Sequence, residues 1–578
     1  MKKIKTKSAL LALLASGALF GNTAKAQLIN SDFSGGLNDW TVQGTNTRVP
    51  FGYNLTPKDL GTVPGQVTFG PGNVAIIHSE DPGPLVATGL SQTFQLNLPT
   101  YTKGSGRLQL KSGSIHLNFN WQALSNESPG APYDYVRGEL NGQQLFVNDL
   151  RNSNDNNPGA YGFFRSSTVQ SFDKEINGLL GKTSTLAFFA SDTIDGEVDS
   201  ALAISNLKIV FHNVILQDVD AINSVYSSGL PMALAQREIL LNVASNANRD
   251  VNGRLFRLRA EADLRPEGSA GPSGDGKDVK ESKKEIIPEE KRWSFFATGA
   301  YGYRDQNNVD LAAGFTSNVF TASIGGEYKI TPALTVGIAA SRIEADNDLG
   351  SIGSANIEGW SFDGYVSYAA NHFYADLLYA LGTYSNHINR DTIFGTATAS
   401  PDSLTNTVQF NTGYNIPCGR LLTGPIAGLT WVHGDVDGYS ENQAGAANLT
   451  VPDQHVDSLT SELGWQLSVP IHTGLGTITP QAHASWVHEY LDTAKTITVG
   501  LNNSPYYALN STGTSLSRTG GFNASGGTSA AGSDYLGVGA GVAFEISDRA
   551  AVILDWETRF FQDHASTQNV ALTGQIKF

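Results

Sequence analysis

The chain has 578 residues, of which only 16% are charged, with 62 glycines and a formal net charge of −16. That length suggests more than one domain. The acidic balance argues against nucleic-acid binding, which needs a basic patch, and the single cysteine, Cys418, excludes an intrachain disulfide.

In chain order, residues 1–26 read as a secretory signal. Lys2, Lys3, Lys5 and Lys7 precede an apolar run from Ala9 to Phe20, and Ala24-Lys25-Ala26 offers small residues at a cleavage site. The mature chain is expected to begin near Gln27. No later apolar stretch is long enough for a transmembrane helix.

Residues 27–214 alternate short strand-like runs with Gly, Pro and Asn clusters, which predicts a β-sandwich. The runs are Ala75-Ile76-Ile77, 115–121, 144–147, 185–190 and 201–211. Trp40, Trp121, Tyr133 and Tyr135 are candidate ring-stacking residues for a sugar, with core or rim packing as the competing role. Asp192, Asp195, Glu197 and Asp199 offer oxygen ligands to calcium, against a plain solvated acidic loop. His78, His116 and His212 are scattered, with no spacing that suggests zinc. Neither G-x-S-x-G nor H-E-x-x-H occurs. No catalytic residue, resident metal or cofactor is therefore expected, although a triad assembles in space and not in sequence.

Residues 215–264 have a helical look and carry Arg237, Arg249, Arg254, Arg257 and Arg259. A basic helix binds a membrane surface or serves as a solvated connector. Residues 265–291, rich in Gly, Ser and Pro and then in Lys and Glu, read as a flexible linker.

Residues 292–578 break into segments of period two. Strands are predicted at 293–304, 318–330, 333–345, 355–369, 372–388, 402–415, 419–434, 456–469, 474–490, 533–546, 549–562 and 566–578. That is about twelve, an even number, with every second connection short, as bacterial outer-membrane barrels require. The largest connection, 491–532, reads as a loop rich in Gly, Ser, Thr and Asn. In the last segment Val570, Leu572, Gly574, Ile576 and Phe578 share one face, the outward face of a closing strand that meets lipid. Glu327, Asp363 and Lys577 fall on the polar face, whereas Tyr374, Leu378 and Tyr384 are apolar residues at inward positions. Cys418 is expected to be a buried or shielded thiol in a turn.

Several stretches resemble the translocator domain of autotransporters, the type V secretion proteins. They are Gly314-Phe315-Thr316-Ser317-Asn318-Val319-Phe320, Gly325-Gly326-Glu327-Tyr328, Thr335-Val336-Gly337-Ile338-Ala339, His372 to Gly382, and the closing strand. Arg254-Leu255-Phe256-Arg257-Leu258-Arg259 resembles the segment after that family's pore helix. The resemblance implies a barrel anchored in outer-membrane lipid with help from the barrel-assembly machinery, a helix in its pore, and an upstream passenger at the surface of a Gram-negative-type bacterium. A twelve-strand barrel is too wide for its own side chains to fill. The helix is therefore expected to plug it, with Arg249, Arg254 and Arg257 facing Glu327, Asp363 and Asp376. The sequence departs from the family in its short, non-repetitive passenger. It also has Asn246-Ala247-Asn248 where some members cut themselves at an Asn-Asn pair. The passenger's ends, Leu28 to Phe33 with Trp40-Thr41-Val42 and Ala201 to Val210, resemble jelly-roll carbohydrate-binding modules. That implies an extracellular glycan or other surface ligand and an adhesin-like role. A passenger hydrolase and a porin-like channel with an accessory domain are the alternatives.

Overall fold

The computed structural model describes residues 28, 31–34, 38–45, 67–71, 73–79, 87–98, 106–126, 134–148, 157–191, 200–263, 291–474, 476–547 and 549–578. The expected signal, the linker up to residue 290, Tyr133 and the four acidic calcium candidates Asp192, Asp195, Glu197 and Asp199 lie outside the described residues. The chain divides into two compact units. One comprises the chain up to Val219 together with Ser504–Gly520, and the other Asp220–Asn503 with Gly521–Phe578.

In the first unit two antiparallel sheets share one core. The five-stranded sheet runs Thr41–Thr45, Ala87–Gln95, Thr183–Ser191, Tyr135–Leu140, Gln143–Asn148. In the other sheet the long strand Leu108–Ser125 lies between Ser200–Asp218 on one side and Gln170–Asn177 on the other. Alternation decides which residues enter the core. Ile115, Leu117 and Phe119 point inward and are at most 1% exposed, while His116, Asn118 and Asn120 point out. Phe119 stacks on Phe172 at 4.7 Å and meets Phe188 of the facing sheet edge-on at 5.2 Å.

The connection 491–532, expected to be a loop, contains four strands. Two of them, Tyr506–Leu509 and Leu516–Arg518, form a hairpin whose first strand pairs with Ser200–Asp218 at Ile215, Leu216 and Gln217. Val74–His78 covers the same edge further along, at Ala201 to Ile204. Tyr507, Leu509 and Leu516 pack against the sandwich core. An uncovered strand edge exposes unpaired backbone groups, and the hairpin satisfies them where Val74–His78 ends.

The second unit is a closed barrel of twelve antiparallel strands, the number read from the sequence. Strand Trp293–Gln306 pairs with Phe315–Lys329 on one side and with Ala565–Lys577 on the other, placing Phe295 opposite Ile576 and Tyr301 opposite Val570. The outward residues are apolar and exposed, among them Leu572 at 55% and Ile576 at 51%. Several strands exceed the roughly 9–11 residues needed to cross a bilayer, the longest being Phe373–Thr392. Beyond the barrel strands, Tyr439–Ser440, Leu449–Val451, Lys495–Leu501 and Asn523–Thr528 form a small sheet of their own. Cys418 is exposed, contrary to the expectation of a shielded thiol. It ends the short strand Ile416–Cys418, which turns through Gly419 (φ 67°) and Arg420 to pair back on Leu421, so the thiol stays at the rim.

Candidate functional site: the filled lumen

Helix Leu230–Asp263, 34 residues long, is preceded by a short helix Val219–Ser224 and a π-turn Val225–Gly229. It has no clear apolar stripe, yet polar residues such as Gln236, Asn242, Asn246 and Arg254 are buried along it. Such a helix is stable in a buried place only where polar partners surround it. The inward positions of the barrel strands, with Tyr439 of the small sheet, supply them. Asn242 Nδ2 donates to Ser317 Oγ at 2.9 Å and Asn252 Nδ2 to Gln409 Oε1 at 2.8 Å. Gln236 donates to the Tyr439 hydroxyl at 2.7 Å and accepts from Gln454 at 3.0 Å.

The charged contacts are more specific. Arg254 Nε and Nη2 grip both oxygens of Glu327 at 2.7 and 2.6 Å, and the Tyr365 hydroxyl donates to the same carboxylate at 2.8 Å. Both partners are buried, 1% and 2% exposed, so this fork is fully sheltered and geometrically demanding. Of the acidic inward positions expected to face the helix arginines, Glu327 takes Arg254. Arg249 reaches Glu557 at 2.5 Å, a partner the sequence reading did not name. Asp363 accepts from Ser361 at 3.0 Å, and Asp376 is buried. The side chain of Arg257 lies outside the described residues.

Two further pairs escaped the sequence reading. Arg304, on the barrel wall, donates to helix residue Glu238 at 2.9 Å. Arg390 forks onto Glu441 at 2.8 and 2.5 Å and also donates to Ser228 Oγ in the π-turn at 2.9 Å. Their signal in the sequence is weak, a lone arginine at an inward position of a strand.

The apolar inward residues have their explanation here. Tyr384 packs with Ile239, Leu240 and Val243 of the helix, and Leu378 with Val251 and Leu255. Gly302 permits the approach of Asn246, since a Cβ there would lie 2.2 Å from Asn246 Oδ1. The helix thus leans on one wall. Opposite it remains a cavity of ≈ 320 Å³ lined by Arg237, Asn248, Arg249 and Asn252 of the helix and by Gln409, Glu462 and Glu557 of the strands.

In the first unit two of the candidate sugar platforms, Trp40 and Tyr135, have become core, and Trp121 is partly buried against it. Trp40 is 7% exposed and packs on Phe33 at 5.3 Å, and Tyr135 is 4% exposed. Trp121 stacks on Phe146 at 4.3 Å. An interior shared by two sheets needs large side chains, and these rings fill it. Two of the three histidines come together: His116 and His212 bring their rings to 4.5 Å with Glu175 beside them, while His78 stays apart, its ring tilted against Phe163 at 5.5 Å. The strand register that joins them is a property of the folded sheet.

A model of the family described as autotransporter β-domain matches residues 295–557. Esterase EstA of Pseudomonas aeruginosa is 27% identical over 226 residues, covering 37% of this chain. The chain spans about a third of the length of the curated relatives it matches, 34% in each case. Among solved structures, the translocator domain of autotransporter NalP from Neisseria meningitidis aligns at 15% identity and TM-score 0.39, covering 58% of this chain and 98% of its own. The β-domain of the Bordetella autotransporter BrkA aligns at 15% identity and TM-score 0.37, covering 50% and 100%.

Proposed function

The C-terminal barrel of this chain is an autotransporter β-domain of the Gram-negative outer membrane, with its passenger at the cell surface, and from that premise we propose that it displays the N-terminal sandwich as a permanently held ligand-binding module. The observation that carries this reading is the hairpin of residues 506–518. It departs from between two strands of the second unit and pairs with Ser200–Asp218 of the first. A single cut in the helix would leave that pairing intact, so display and not secretion follows. Asn246 and Asn248 are moreover buried, 7% and 6% exposed, and Asn246 Nδ2 is engaged by Asn242 O at 2.8 Å. Cells expressing the protein are expected to hold one uncleaved chain in the envelope. A sandwich fragment in the culture medium would overturn permanent display.

Binding in place of chemistry is supported by exposed aromatic rings on the sandwich. Phe69 is 45% exposed, Tyr161 40% and Phe164 80%. Tyr161, at φ 55°, lays its ring over Gly70, where an added Cβ would come within 2.6 Å of it. Rings presented this way stack on sugars or other flat apolar ligands, and they take over the part assigned by sequence to Trp40 and Tyr135. A glycan array probed with the full-length protein in detergent is expected to give a ligand whose binding falls in Tyr161→Ala and Phe164→Ala. A ligand that binds those variants as well as wild type would move the site elsewhere.

The Pseudomonas relatives, which are named as esterases, support a second reading, an esterase passenger. The nearest arrangement among the described residues is Ser114, His212 and Glu175. Both Ser114 Oγ, at 3.5 Å, and Glu175, at 3.2 Å, address the same ring nitrogen, Nδ1. A relay needs nucleophile and carboxylate on opposite nitrogens. Hydrolysis of p-nitrophenyl esters by the purified protein would nonetheless decide for the enzyme.

A further inference from the structure

We propose that His116, Glu175 and His212 form a site for a divalent transition metal on the outer face of the sandwich, with zinc the leading ion. The three residues come from three adjacent strands of one sheet. His116 lies on Leu108–Ser125, and Glu175, on Gln170–Asn177, stands directly opposite it in register. His212 lies on Ser200–Asp218, opposite Ser114 and so diagonal to His116. One ligand atom from each falls within 4.8 Å of the others. Zinc holds imidazole nitrogen at about 2.0–2.1 Å and carboxylate oxygen at about 2.0–2.2 Å. The side chains therefore need only a modest rotation to close on one ion.

The backbone is locally altered at this point. The pairing of the two long strands shifts register between His212 and Ile215, Asn213 takes φ 49°, and Gly113 takes φ 142°. At Gly113 a Cβ would sit 2.6 Å from Val214 Cα. The irregularity begins just after His212, which itself stays in register opposite Ser114 and on the same face as His116, so that the two rings meet at 4.5 Å with a 64° interplanar angle.

The outer shell suits a metal as well. Asp173 Oδ1 lies 3.2 Å from His116 Nδ1, which leaves Nε2 of that ring for an ion in the carboxylate–histidine–metal arrangement. Ser114 Oγ donates to Glu175 Oε1 at 2.5 Å and fixes the carboxylate. The two imidazole nitrogens are borderline donors of the kind zinc, copper and nickel accept and hard, oxygen-seeking calcium and magnesium do not favour, while the carboxylate suits either class. Three protein ligands leave a fourth position for water. The histidines are 31% and 40% exposed, so the ion enters directly from solvent.

The test uses the full-length protein in detergent, stripped with a chelator and titrated with cobalt(II), with zinc(II) as competitor. One equivalent is expected to bind with a visible absorption band of tetrahedral character, and zinc to displace it. His116→Gln and His212→Gln are each expected to abolish the band. Asp173→Asn is expected to weaken binding by roughly 10–100-fold, the usual cost of an outer-shell change. His455→Gln, at a separate histidine–carboxylate contact in the barrel, is expected to leave the stoichiometry at one. Absence of stoichiometric binding, or binding that survives the double histidine variant, would overturn the site. X-ray absorption on the zinc-loaded wild type reports imidazole ligands without any substitution, and a spectrum lacking them would overturn it too.

Discussion

The sandwich and the barrel are built from the same alternating strands, yet they bury opposite faces. In the sandwich Ile115, Leu117 and Phe119 are sealed between sheets and the polar residues between them face out. In the barrel Ile324 and Ile338 stand outward at 68% and 72% exposure, while Glu327, Ser341 and Arg304 are buried inside. The pattern is the same, and the solvent differs. Lipid accepts the outward apolar face, and the enclosed lumen collects the polar one. A lumen lined this way cannot be filled by an apolar element. The helix that fills it is correspondingly polar, and its position is held by ion pairs and amide contacts as much as by packing.

The largest test of this contrast is at the closing strand. Phe578, 64% exposed, exchanges backbone hydrogen bonds with Trp293 and packs edge-on to Phe295 at 6.0 Å. Phe578→Asp is expected to abolish the heat-modifiable folded barrel in the outer membrane. Normal heat-modifiable barrel from that variant would mean that closure does not depend on the apolar edge. Next is the buried fork. Removing one partner of such a pair costs about 3–5 kcal/mol, so Arg254→Ala is expected to unseat the helix. Single-channel recordings should then show raised conductance with insertion intact. An unchanged conductance, with the helix still protected from protease, would mean that packing at Leu378 and Tyr384 seats it alone.

A smaller effect separates the two outer faces directly. An arginine on the lipid face costs roughly 2–4 kcal/mol at the bilayer midplane, whereas a water-facing surface change stays within about 0.5 kcal/mol. Ile338→Arg is expected to lower the folded fraction of the barrel in urea titrations, and Asn118→Arg to leave the sandwich unchanged. Equal responses would erase the distinction between the faces. The smallest expected effect is one of pH, at the loop residue Asp310. The Ser529 backbone N–H at 2.9 Å, and then the Ser529 hydroxyl at 2.8 Å, hold its carboxyl below the ordinary aspartate range. A lowered carboxylate stabilises the fold above its unfolded pKa, and that contribution is lost as pH falls through the folded pKa. The protection of the Ser529 amide, taken relative to intrinsic exchange at each pH, should therefore fall in wild type under acid, and Asp310→Asn should remove that pH dependence of the protection. A pH response that persists in the variant would assign it to another group.

The barrel was legible because its rule is local. Each strand carries its own alternation, every second turn is short, and twelve segments could be counted without knowing any partner. That Glu327 faces a helix arginine was legible for a related reason, since both sit where geometry forces charge inward, but that the arginine is Arg254 was not. Strand ends were less legible, because pairing beyond the membrane depends on neighbours. The hairpin at 506–518 was not legible, since a Gly- and Ser-rich stretch has no reason of its own to become strand until an open edge is offered to it.

By itself, then, the sequence determined which residues face lipid, how many strands close the barrel, and that a basic helix precedes it, because periodicity and charge are carried by adjacent residues. Tertiary structure alone decided what Trp40 and Tyr135 do, which buried them between two sheets. It alone paired Arg249 with Glu557 and Arg390 with Glu441. It alone brought His116 and His212 together, through the register of two strands. Register between segments distant in the chain is fixed by the core they jointly bury, and no single segment encodes it.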